Sequence, residues 1–193
     1  MIDLIKEKVF DKFKDDPHRL AHILGVEAVA VKLSCIHGVD PNKARIAALY
    51  HDFMKNDPID LQMSFLSAEE IKLYHDFPVM YHGLSAAVKL REDFQIDDAE
   101  ILHAIRSHIF GKPQMSKLEK IIFIADYVEP NRVMEDIHQI YEIATKDLDE
   151  AVYRVLESTN HYLKEKGFNR APEQIRSTHY YEEVTRGKVK HHY

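Results

Sequence analysis

Apolar residues recur at helical spacing through almost the whole chain. In HRLAHILGVEAVAVKL, Ile23, Val26, Ala30 and Leu33 follow one another at intervals of three and four, the mark of a helix with one buried face. The same periodicity, punctuated by Pro58, Pro78, Pro113 and Pro130, predicts helices over 2–14, 18–37, 42–54, 67–76, 79–93, 98–108, 117–128, 134–143, 147–166 and 172–184. Asp40 before Pro41 reads as an N-cap with proline in the first turn. Ser67 with Glu70, Asp97 with Glu100 and Ser116 with Glu119 read as capping boxes. No stretch alternates apolar and polar residues between hairpin turns, as a half-buried strand would. The pattern predicts an all-α fold with no internal repeat.

Composition narrows the classes. A chain of 193 residues with 45% hydrophobic content fits one domain, expected over 1–193. The net charge is -6 and no basic run occurs, so a nucleic-acid partner is not expected. A small anionic substrate needs only a few local cations. A single cysteine, Cys35, excludes an internal disulfide and is expected in the core; with no signal peptide, it points to the cytoplasm. No apolar run approaches the roughly 18 residues of a membrane span. The N-terminal amphipathic helix is a candidate homodimer surface.

Thirteen histidines stand out, and their placement matters more than their number. His51-Asp52 ends a small apolar helix, where a buried charge needs a partner or a metal. A slightly opened helix end would let both neighbours reach one ion. His22 lies at the edge of the 18–37 stripe, three residues after Arg19. Asp126 sits in SKLEKIIFIADYVEP, a helix apolar on most of its circumference, so its carboxylate needs a cation, either an arginine or a metal. Two imidazoles and two carboxylates suit iron, manganese or zinc, and such an ion activates phosphate esters and anhydrides toward hydrolysis. His82 and His108 are candidates for phosphate contact or for a second ion. Arg132 at a helix exit, and Lys55 after the His-Asp pair, are candidate phosphate cations. His75-Asp76 lies in a charged stretch and reads as surface, as do His18, His37 and His138. The histidines at 191 and 192 are set aside.

In chain order, His22, His51-Asp52, His82, His108 and Asp126 resemble the H…HD…H…H…D pattern of the HD-domain superfamily. Segments 19–33, 43–55, 81–90, 100–132 and 146–152 resemble more closely the YqeK family of bacterial symmetrical diadenosine tetraphosphate hydrolases. The resemblance implies an HD-type helical bundle, with its core over about 18–130 and C-terminal helices over about 134–185 completing it. It implies iron, as Fe2+ or Fe3+, on His22, His51, Asp52 and Asp126, with room for a second divalent cation such as Mg2+ or Mn2+. It implies nucleotide contacts from Arg19, Asp52, His82, His108, Ile109, Asp126 and Arg132, and from Asn169, Arg170, Ala171, Pro172, Glu173 and Gln174. Asp52, His82 and His108 are the expected catalytic residues, with Arg19, His82 and Arg132 neutralising phosphate charge. The implied reaction splits a dinucleoside tetraphosphate into two ADP. Other nucleotides, or a non-catalytic metal-bound sensor, are the alternatives. Ile109-Phe110 and the stretch NRAPEQ depart from the family's usual residues, and Phe110 is expected to narrow the pocket.

Overall fold

A computed structural model describes residues 1–189. Among them there is no strand, and the order is α1 (Ile2–Lys12), α2 (Pro17–His37), α3 (Pro41–Tyr50), α4 (Ile59–Met63), α5 (Ala68–Leu73), α6 (Tyr81–Phe94), α7 (Ala99–Ser107), α8 (Lys117–Val128), α9 (Ile137–Ala144), α10 (Leu148–Glu165) and α11 (Pro172–Val189). His191 and His192 lie outside the described residues.

The helices start where side chains satisfy their free N–H groups. Asp16 accepts from the Arg19 amide and Asp40 from the Asn42 amide, each before a proline in the first turn. Ser67/Glu70 and Ser116/Glu119 form reciprocal capping boxes. The cap of α7 is Asp98 rather than Asp97, since its carboxylate reaches the amides of Glu100 and Ile101. The expected helix over 42–54 stops at Tyr50. Phe53 then bonds back to Tyr50, and Lys55 to Asp52, in tight i to i+3 turns. The short α4 went unpredicted; of its five residues only Gln62 is buried.

At the centre, α2 packs against both α3 and α8, and α8 in turn against α7, α9 and α10. One continuous core runs from Ile5 on α1 to Tyr181 on α11, through Leu33, Leu49, Ile105 and Ile122. The C-terminal helices thus pack on the same core as the N-terminal ones. By mean hydropathy, 1.4, α2 is long and apolar enough to span a membrane, an amendment to the sequence reading. Here it is the core helix of the bundle, with Ile23, Val26, Ala30 and Leu33 fully buried. Cys35, expected inside, is exposed near its end. His37, expected outside, is half-buried and 2.6 Å from the Ala144 carbonyl.

Candidate metal and phosphate site

The helix junction of α2, α3 and α8 gathers the residues singled out by the sequence. The Asp16 cap puts Arg19 in the first turn of α2 and His22 one turn further. His51 and Asp52 follow the last residue of α3, and the tightened turn there aims both into the junction. Asp126 comes from the last turn of α8. His51 and Asp52 are buried, and Asp126 keeps 20% of its side chain exposed.

Four donor atoms converge. His22 Nε2 lies 3.1 Å from Asp126 Oδ1 and 3.5 Å from Asp52 Oδ2. His51 Nε2 lies 3.7 Å and 3.6 Å from the same two atoms. Donors bound at roughly 2.1 Å to one ion stand about 3.0–3.4 Å apart by simple geometry; these four spacings run from 3.1 to 3.7 Å, and His22, His51 and Asp126 are close enough together to hold an ion, with Asp52 beside them. Both Nε2 atoms are buried without a hydrogen-bond partner, an unusual cost unless something else satisfies them. His51 Nδ1 is 2.6 Å from the Ala48 carbonyl; as the donor there, it leaves Nε2 with a free lone pair. The residues fit a metal of nitrogen and oxygen preference.

A carboxylate that the sequence reading missed orients His22. Glu129, 1% exposed, has Oε1 3.0 Å from His22 Nδ1, while Oε2 accepts from the Asn131 amide and side chain at 2.7 and 2.9 Å. Gly25 on α2 makes room: a Cβ there would stand 2.4 Å from Glu129 Oε2. The signal was present in the helical glycine and in an acid beside Pro130, but a helix-exit acid ordinarily faces water.

The other half of the site surrounds Asp52 Oδ1. His82 Nε2 is 3.2 Å away, His108 Nε2 3.5 Å, and the two ring nitrogens are 3.2 Å apart. Gly83 permits this pairing, since a Cβ there would press on His108 and Ile109. His108 is fixed by Nδ1, 2.6 Å from the Ile105 carbonyl. Arg19 pairs with Asp52 Oδ2 at 2.5 Å. Arg132 grips the Asp126 carbonyl and carboxylate at 2.7 and 3.0 Å, so Asp126 has both an arginine and the histidine cluster.

Protonation follows from these contacts. Burial opposes ionisation of Asp52, but His51, His108, His22 and His82 around it hold its carboxyl well below the usual range. Burial likewise opposes charge on Asp126, and the neighbouring imidazoles of His22 and His51 outweigh it, holding the carboxyl well below the usual range. For His22, burial is overcome by the carboxylates of Asp126, Asp52 and Glu129, which raise it to about 9. Burial pushes His82 down to about 4. His82 is therefore a neutral hydrogen-bonding group near pH 7 when no phosphate stands against it.

The remaining predicted contacts divide. Ile109 and Gln174 line a cavity of about 580 Å³ beside His108, Asp126 and Arg132. Phe110 does not narrow it; its ring packs edge-on against Phe77 in a satellite cluster with Ala171. Glu173 is tied to the Tyr74 hydroxyl at 2.6 Å. Asn169, Arg170 and Pro172 are exposed, and none of them lines that cavity. His75 and Asp76 are exposed, as the sequence indicated.

A helical bundle that joins a histidine, a His-Asp pair and a distant aspartate around one point is the arrangement of a metal-dependent phosphohydrolase of the HD class, and the HD domain family pattern matches residues 19–131. The chain is 39% identical to the "Bis(5'-nucleosyl)-tetraphosphatase, symmetrical" of Halalkalibacterium halodurans, over 77% of this chain and 81% of that protein. It is 33% identical to the protein of the same name from Staphylococcus aureus, over 92% and 91%. A crystal structure of a predicted HD superfamily hydrolase involved in NAD metabolism, from Clostridium acetobutylicum, superposes with a TM-score of 0.84 at 31% identity, covering 95% of this chain and 98% of the other. The chain belongs to the HD-domain family and, within it, to the family of these bacterial symmetrical tetraphosphatases.

Proposed function

We propose that this chain hydrolyses diadenosine tetraphosphate at its central anhydride, giving two ADP. The observation that carries the reading is the convergence of His22, His51, Asp52 and Asp126 with two unpartnered imidazole nitrogens, flanked by Arg19 and Arg132 and set in a chain so similar to the named tetraphosphatases. These four residues would hold the metal, which we propose to be iron; when bound it supplies Lewis acidity toward a phosphoryl oxygen.

The chain's own groups do the rest. Water oxygen adds to one of the two inner phosphorus atoms, the bond from that phosphorus to the central bridging oxygen breaks, and ADP departs with that oxygen. Asp52, held ionised, accepts a hydrogen bond from the attacking water through Oδ1 and so fixes its direction. Arg19 and Arg132 offer guanidinium donors to the phosphates. His82, neutral, contributes a hydrogen bond, and His108 presents Nε2 to the leaving phosphate and donates from it when protonated. Preorganised charge is the largest contribution expected. Ile109 and Gln174, which line the cavity beside His108, contact the nucleotide.

A second cation is favoured by one observation: His82 Nε2, His108 Nε2 and Asp52 Oδ1 form a second trio spaced 3.2 to 3.5 Å, with Asp52 bridging the two sets. Mg2+ or Mn2+ would fit there, and metal analysis of the purified protein at one or two equivalents decides it. We further propose a cytosolic location and a homodimer through α1, whose Leu4 and Phe10 are exposed; sedimentation tests the latter.

The test is anaerobic incubation with ferrous iron and diadenosine tetraphosphate. ADP as sole product supports the reading. ATP with AMP overturns the cleavage position. Absence of product from metal-loaded protein overturns the substrate and favours another nucleotide, or a sensor.

A further inference from the structure

Two cavities border the His/Asp cluster, one at His108 and Asp126 and the other at Arg19 and His22, and share Arg132, Val133 and Met134. Their volumes, about 580 and 460 Å³, both fall within the range of small-molecule sites, about 300–1,000 Å³. Their linings differ. The larger lies against α8 and α10 and is walled by Phe123, Tyr127, Val155, Leu156 and Tyr162, with Thr159 and Gln174 as polar readers. That is a lining for a flat heterocycle. The smaller lies against the start of α2 and the turn after Asp52, and is walled by His18, Arg19, Lys55, Asn131 and Arg132. That is a lining for phosphate.

Two cations of the smaller cavity, Arg19 and Lys55, reach toward Asp52 and are incompletely used. Arg19 spends one nitrogen on Asp52, while its buried Nε has no partner. Lys55 Nζ stands 3.9 Å from Asp52 Oδ1, beyond a hydrogen bond, with 36% of its side chain exposed. His18 is exposed at the rim. The acid in the same wall, Glu129, is occupied by His22 and Asn131, so it does not neutralise them.

Symmetrical cleavage of a substrate with two nucleoside diphosphate halves needs a seat on each side of the central bridge. We infer that the cavity formed by His18, Arg19 and Lys55 seats the second nucleoside diphosphate half, held through its phosphates, while the apolar cavity seats the first through its base. This rests on the proposed reaction and adds to it a division of labour. One side reads the base. The other reads phosphate charge, with Val133 and Met134 at the shared rim as its apolar lining residues.

The experiment uses the metal-loaded full chain, with Lys55→Ala and the double variant His18→Ala/Lys55→Ala. Calorimetric titration with ADP counts seats, and steady-state kinetics with diadenosine tetraphosphate reads their use. The expected result is two ADP per wild-type chain and one in the double variant. Loss of the charge-assisted Lys55 contact is expected to raise KM about tenfold, with kcat little changed. One ADP per wild-type chain at saturation, or a double variant unaltered in both ADP count and KM, overturns the inference. A wild-type chain that binds two ADP but does not cleave the dinucleotide overturns the proposed reaction and leaves the two seats standing.

Discussion

Replacing Gly25 by alanine separates the fold from the metal site. The new Cβ would stand 2.4 Å from Glu129 Oε2, 3.0 Å from Asn131 Nδ2 and 3.3 Å from Glu129 Cδ. Ordinary contact needs about 3.5 Å, so the carboxylate must retreat by about 1 Å. It is not free to do so, since its oxygens hold His22 and both nitrogens of Asn131. Two stability terms oppose each other: alanine gains about 1 kcal/mol of helix propensity over glycine, and overpacking costs about 1–3 kcal/mol. The net expectation is a loss of at most about 2 kcal/mol. The metal term has no such offset. Disturbing the outer partner of a ligating histidine costs roughly 10–100-fold in metal affinity, equivalent to about 1.4–2.7 kcal/mol. Chelator competition measures that affinity, and thermal unfolding of metal-free protein measures the fold. A folded variant with unchanged metal affinity would refute the claim that Glu129 orients His22 through the space Gly25 leaves.

Three further outcomes follow from the same geometry. Asp52→Ala removes the carboxylate shared by both halves of the cluster and is expected to abolish turnover; cleavage at the normal rate by that variant, followed by chromatography, would sink the proposed mechanism. Arg132→Lys loses the paired grip on the Asp126 carbonyl and carboxylate, because an ammonium lacks the planar fork; weaker nucleotide binding by roughly tenfold is expected for one lost charged hydrogen bond, read by titration with ADP. In metal-free protein His22 is raised from 6.5 to about 9, so its contribution to stability is complete below pH 6.5 and lost as the pH rises through 9. Metal must displace that proton, so apparent metal affinity is expected to rise over the same window, with proton release visible as a buffer-dependent binding enthalpy; a pH-independent affinity between 6.5 and 9 would contradict it.

Most of the candidate cluster was legible because its charges broke a local rule. Asp126 interrupts an otherwise apolar helix, and His51-Asp52 ends one made of small buried residues; charges placed so demand a partner. Glu129 broke no rule, since an acid before proline at a helix exit is what a solvated terminus shows. Its burial comes from α2 approaching over Gly25, a tertiary contact with no periodic signature. The same holds for Phe110, whose turn away from the site depends on Phe77 and Ala171, both distant in sequence. Asp97 and Asp98 are each good caps, and local pattern does not choose between neighbours. Cys35 follows the composition of a core helix but sits on its outer face near the end. The fold was easier to read because helix periodicity is local, whereas α4 is too short and too little buried to leave a pattern.

His22 and Glu129 touch although they stand 107 positions apart, and the four donors come from α2, the turn that follows α3, and α8. An ion held among them is a cross-link between remote parts of the chain. Closing so long a loop is entropically costly, and an unfolded chain has no reason to bring these side chains together. Ion binding therefore belongs almost wholly to the native state, and its full affinity adds to folding stability by mass action. An ion bound there would be a topological rivet, and scarcity of metal would then lower the protein's resistance to unfolding and proteolysis as well as its turnover.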